Sequence, residues 1–146
     1  MKSWQSSGGN TVMFTFQRLT KTLTALGIES TPAIFQALEK AYSHPARVYH
    51  DKTHIAACLE SLDRHAAIIA SNPAEIEIAI WFHDAIYDTT RSDNELKSAQ
   101  WAVQYLSQEN APPESIERIK TMIDVLVAIL AKANIFCQIL LSCQVS

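Results

Sequence analysis

The chain has 146 residues, 48% of them hydrophobic and 18% charged, with a formal net charge of −3. That is enough for one domain with a real core and too apolar for a disordered segment, and it gives no basic field for a nucleic-acid polymer or an anionic membrane. Its three glycines, Gly8, Gly9 and Gly27, all lie near the N-terminus, which excludes P-loops and dinucleotide-binding turns, where backbone must approach phosphate closely.

Residues 1–12 are polar, lack the apolar core of a signal peptide, and are expected to form a loose tail. A first helix is predicted over Val12–Leu26, with Phe16, Leu19, Leu23 and Leu26 on one face and Gly27 just past its end. A second starts with Thr31 as N-cap and Pro32 in its first turn and buries Ile34, Leu38 and Tyr42. Ser43-His44-Pro45 breaks the chain. The third covers Lys52–Ser71, with Ile55, Leu59, Leu62, Ala66 and Ile69 inward. The fourth runs from Pro73 to Tyr87 and places Ile76, Ile80, His83 and Tyr87 on one stripe. The fifth begins at Ser92 or Asp93, turns Leu96, Ala99, Val103 and Leu106 inward, and ends at Asn110-Ala111-Pro112-Pro113. The sixth begins near Glu114 with Ile116, Ile119, Ile123 and Leu126 facing in. The expectation is an all-α bundle of about six helices over residues 13–123, followed by an apolar segment, 124–146. Polar residues interrupt that segment too often for a membrane span. Cys58, Cys137 and Cys143 form no CxxC pair, which fits a reducing cytoplasm better than a disulfide framework.

Three clusters carry candidate chemistry. In Trp81-Phe82-His83-Asp84-Ala85-Ile86-Tyr87-Asp88, His83 points inward. An imidazole buried beside a carboxylate needs a partner, and a divalent metal is one; a core histidine bonded to a carbonyl is the plainer alternative. In Tyr49-His50-Asp51-Lys52-Thr53-His54, the two histidines are one helical turn apart and can share a metal, although Asp51 replaces the glutamate of a zinc-peptidase motif. A capped helix start is the alternative here. In Asp88-Thr89-Thr90-Arg91-Ser92-Asp93-Asn94-Glu95, three carboxylates and an arginine offer a general acid or base and a phosphate clamp, or simply a helix cap.

The strings Ala46–Ile55, Trp81–Asp88 and Asp93–Ala99, in that order, resemble the metal-dependent phosphohydrolases of the HD superfamily. The resemblance spans roughly residues 16–123. It implies an HD-domain-like helical fold, a divalent metal (Mn²⁺, Co²⁺, Mg²⁺ or Fe²⁺) and hydrolysis of a phosphoester, often in a nucleotide. Carried over by residue, His83 and Asp84 match the His-Asp pair and His54 best matches the earlier histidine ligand. His50 is then a second ligand candidate or a phosphate contact. Asp88, Asp93 and Glu95 match acidic positions and are the catalytic candidates. Arg47, Lys52 and Arg91 are expected to bind the phosphate of a small substrate, arginine being favoured for its bidentate geometry.

The chain departs from the family near Asp124. A histidine-bearing segment and an aspartate-rich string that would supply the last ligand are missing, as a frameshifted or truncated gene would leave them. Asp124 is the remaining acidic residue for a fourth ligand. Besides hydrolysis, the residues admit non-haem iron oxygenation, a degenerate helical module that binds a nucleotide or partner without turnover, and a zinc peptidase built on His50 and His54. The apolar segment could also join two copies in a homo-oligomer.

Overall fold

The computed structural model describes residues 13–47, 51–69 and 72–133. Among them the chain is all-helical, with six helices and no strand: α1 (Phe16–Ala25), α2 (Pro32–Tyr42), α3 (Lys52–Ile69), α4 (Pro73–Phe82), α5 (Asn94–Gln108) and α6 (Pro113–Ala133). None of the described helices is long and apolar enough to cross a membrane.

Helix boundaries follow local chemistry. Thr15 caps α1, its hydroxyl accepting from Arg18 N at 3.1 Å. Gly27 closes it with φ +80°, while Ile28 N donates to Leu23 O and Gly27 N to Thr24 O, each at 2.9 Å. These are the two bonds of a Schellman ending. Asn110 does the same for α5 with φ 60°, and Ala111 N donates to Leu106 O at 3.0 Å. Pro32 opens α2 as expected, but Thr31 makes no side-chain cap bond. Asp93 also stands at the N-cap of α5 without capping it, because its carboxylate pairs with Arg91 instead.

α4 is the centre of the bundle. It packs against α1, α3, α5 and α6, and α5 and α6 pack on each other. Every residue from Glu75 to Phe82 is buried, so the helix has no solvent face and the single stripe read from its sequence is too narrow. Trp81 meets Phe14 at 4.7 Å and Phe35 at 6.3 Å between ring centroids; Phe82 meets Trp101 at 5.5 Å on the other side. Each such side chain contributes about 2–3 kcal/mol by burial. The inward face of α5 is Ser98, Ala99, Ala102 and Leu106. Leu96, expected inside, is 49% exposed, because it sits about 100° around the helix from the middle of that face.

Surrounding α4 on all sides also buries its two glutamates, and each has an arginine from a distant helix. Arg18 of α1 grips Glu77 through Nε (2.9 Å) and Nη2 (2.8 Å) and reaches Asp63 of α3 as well. Thr22 Oγ1 and Trp81 Nε1 donate to the same Glu77 oxygen at 2.7 and 3.3 Å. Burial alone would lower the Arg18 pKa, but Asp63 and Glu77 outweigh it and raise it. At the other end Arg118 of α6 holds Glu75 through two bonds of 2.9 and 2.8 Å.

Glu77→Ala removes the acceptor shared by Arg18, Thr22 and Trp81 and should cost about 3 kcal/mol in urea denaturation; a loss below about 1 kcal/mol would contradict this role. The Arg118 guanidinium, against the opposing effect of burial, holds Glu75 below its ordinary value of 4.5. That stabilisation is complete above the unfolded value and fades as pH falls through the lower folded one. The stability gap between wild type and Arg118→Met should therefore close as pH drops below 4.5; a gap that persists in acid would contradict the pairing.

Candidate metal centre

By its hydrophobic pattern α4 should continue to Tyr87. It stops at Phe82 because side chains claim the main-chain groups of its last turn. His83 N still bonds Ala79 O at 2.9 Å. The next helical bond would join Asp84 N to Ile80 O. Instead Ile80 O accepts from His83 Nδ1 at 2.7 Å, and Asp84 N donates to the Tyr42 hydroxyl at 3.3 Å. That hydroxyl in turn donates to Trp81 O at 2.8 Å. Ala85 N falls back on Phe82 O, and Ile86 N donates to Ser98 Oγ of α5 at 2.9 Å. The Asp84 and Ala85 carbonyls accept from Arg47 Nη1 and Nη2 at 2.9 and 2.8 Å. Buried main-chain groups are thus satisfied without a helix, and the chain turns sharply at His83-Asp84.

This turn faces the first turn of α3. There Asp51 Oδ1 accepts from Thr53 N at 3.1 Å and His54 N at 3.2 Å, capping the helix. The His54 and His83 rings meet edge to face, 5.6 Å between centroids. His83 Nε2 lies 4.0 Å from Asp84 Oδ2. One ligand atom from each of His54, His83 and Asp84 lies within 4.8 Å of the others. Ligand atoms on one first-row ion are about 3–4 Å apart, so small rotations close the set.

The donor chemistry fits a metal. A carbonyl only accepts, so the bond to Ile80 O places the His83 proton on Nδ1. In the neutral ring Nε2 then carries the lone pair, on the side of Asp84. A ligand histidine held by a main-chain carbonyl through its other nitrogen is the usual supporting arrangement at metal sites. His83 is 1% exposed, and two imidazoles with one carboxylate suit a divalent first-row ion. Cys58, one turn along α3, places Sγ 3.9 Å from His54 Nε2.

The other expected site residues are placed as follows. His50 lies outside the described residues. Arg47, expected to bind phosphate, is buried and directs its guanidinium to the carbonyls of Ala41, Asp84 and Ala85. Lys52 stands 3.5 Å from Glu39. Arg91 and Asp93 form a two-bond pair at 2.8 Å in an exposed loop. Asp88 accepts from Thr90 Oγ1 and Thr90 N, which hold its carboxyl below the usual range. Arg91 does the same for Asp93. Both carboxylates stay ionised at neutral pH, which suits an electrostatic contact and not a proton donor, and the lowering makes each a weaker base. Glu95 is exposed in the first turn of α5. Asp124 is an exposed residue of α6 paired with Lys120 at 3.3 Å, and it is not part of the group of three.

Two supporting residues carry no functional signal in the sequence. Tyr42 was legible only as core, by its spacing from Ile34 and Leu38, and nothing in the sequence marks its hydroxyl. Burial, followed by the nearby Asp84 charge, pushes its phenol well up, so it stays a proton donor. Ser98 lies among small inward residues of α5. A cavity of about 360 Å³ opens beside Tyr42, lined also by His44, Arg47, Asp51, Lys52 and Thr53. A larger one, about 570 Å³, lies at Arg18, Asp63 and Glu77, whose charges already satisfy one another. No protein-family model, no curated protein and no solved structure matches the chain.

Tyr42→Phe removes one oxygen and leaves the Trp81 carbonyl and the Asp84 amide to find other partners. It should cost about 1–3 kcal/mol and speed hydrogen exchange at the Asp84 amide. Unchanged exchange there would show that the hydroxyl does not hold the turn.

Proposed function

We propose that the chain is a metal-dependent phosphohydrolase whose divalent ion is held by His54, His83 and Asp84. The observation that carries this reading is the convergence of these three side chains from the start of α3 and the end of α4. The resemblance of the surrounding strings to HD-superfamily phosphohydrolases supports the same assignment and names the substrate class, a small phosphorylated molecule such as a nucleotide. A bound divalent ion supplies Lewis-acid charge for a phosphoryl oxygen and acidifies water for attack at neutral pH.

The chain's own residues set the rest. His83 presents Nε2 because Ile80 O fixes its proton on Nδ1. Asp88 and Glu95 are the acidic candidates for orienting attacking water, since the Asp93 carboxylate is paired with Arg91. Lys52, which lines the cavity of about 360 Å³, is the cationic candidate for substrate phosphate. A second reading, a helical module that binds a nucleotide or partner without turnover, is favoured by one observation. Among the described residues the group has three members, and Asp124, the remaining acidic residue for a fourth ligand, is paired with Lys120.

Purified protein should hold close to one divalent ion per chain by elemental analysis, and His54→Ala and Asp84→Ala should each lose it. Hydrolysis across a panel of aryl phosphates and nucleoside phosphates should fall at least about 100-fold in the same variants. Metal without hydrolysis would favour the binding module. Metal lost with His50→Ala but kept with Asp84→Ala would favour a peptidase-type site, and no metal after incubation with Mn²⁺ or Co²⁺ would end the hydrolase reading.

A further inference from the structure

The two halves of the metal centre come from segments that are far apart in sequence. His54 belongs to the first turn of α3; His83 and Asp84 belong to the turn that ends α4. Direct packing of α3 on α4 sets their separation in part, and the chain connecting α2 to α3 adds a tie to the turn that ends α4 through one side chain. Arg47 sits in that connection. Its Nε bonds Ala41 O at 2.6 Å, at the end of α2, while Nη1 and Nη2 bond Asp84 O and Ala85 O. Its guanidinium is also packed between two aromatic rings, 4.8 Å from the Tyr42 centroid and 5.1 Å from that of Tyr87. Arg47 and the capping residue Asp51 line the same cavity, together with Thr53 at the start of α3. A planar fork with fixed donors, clamped between rings, holds its partners at one distance, which a flexible ammonium does not.

We infer that Arg47 is a positioning residue: it ties the α2–α3 connection to the main chain of Asp84 and Ala85, and so sets the distance between His54 and the His83-Asp84 pair. This deepens the proposed function and rests on it for the metal readout, but not for a readout in the metal-free protein. It also assigns Arg47 a role other than the phosphate contact expected from the sequence. A substrate contact would leave metal affinity unchanged and act on KM. A positioning residue lowers metal affinity and loosens both halves of the centre together.

The test uses Arg47→Lys, which keeps the charge and most of the stem, and Arg47→Met, which keeps the stem alone. Co²⁺ is titrated into the full chain and followed by its visible absorption. Amide hydrogen exchange is measured on the metal-free proteins. Both variants should bind Co²⁺ about 10–100-fold more weakly than wild type, with an altered spectrum. Exchange should speed up at Asp84 and Ala85 and also at Thr53 and His54, while Leu59 and Ile78 in the core keep their protection. Co²⁺ affinity within twofold of wild type would overturn the inference. So would faster exchange confined to Asp84 and Ala85, or global loss of protection in both variants. If wild type takes up no Co²⁺, the metal reading fails by itself and the exchange pattern alone decides the role of Arg47.

Discussion

The end of α4 is where this bundle's main constraint lies. A helix buried on every side cannot send its last carbonyl and amide groups to water, and here they are met by side chains from three other parts of the chain. Tyr42 comes from α2, Arg47 from the connection to α3, and Ser98 from α5. Each of these bonds is ordinary in strength, about 1 kcal/mol net, but leaving any one of the groups unmet costs more than making the bond returns. The consequence is a fixed turn that delivers an imidazole and a carboxylate side by side into a buried space. The candidate centre is thus a by-product of how the central helix is terminated.

The same burial explains the charges. Glu75 and Glu77 lie inside because α4 has no outer face, and each is held by an arginine from a helix that packs on it. Such pairs add little net stability over apolar replacements, but they penalise any packing that leaves a carboxylate alone. They fix the rotation of α4 against α1 and α6. That rotation carries His83, two turns beyond Glu75, toward α3. Packing specificity and site geometry are in this sense one problem.

Features set by neighbouring residues were legible in the sequence. Pro32 at the start of α2, Gly27 after α1 and the Asn110-Ala111-Pro112 stop after α5 act within one turn, and the boundaries follow them. The spacing of Ile34, Leu38 and Tyr42 gave the inward face of α2 directly. Features set by distant residues were not. α4 ends early because of a hydroxyl and a guanidinium contributed by Tyr42 and Arg47, and no pattern near His83 records them. The buried glutamates look like solvent-facing residues until Arg18 and Arg118 are placed beside them. At the candidate centre, the residue types pointed to three side chains that the structure brings together, but not to what positions them. Arginine near a metal site reads as a phosphate clamp, and only the three carbonyls around Arg47 show its other use.

The proposed function requires a single ion shared by His54, His83 and Asp84. The most direct measurement is anomalous diffraction from crystals grown with Mn²⁺ or Co²⁺. One peak is predicted, about 2.0–2.2 Å from a His54 nitrogen, His83 Nε2 and an Asp84 oxygen. A peak that excludes Asp84, or no peak between α3 and the end of α4, would contradict it.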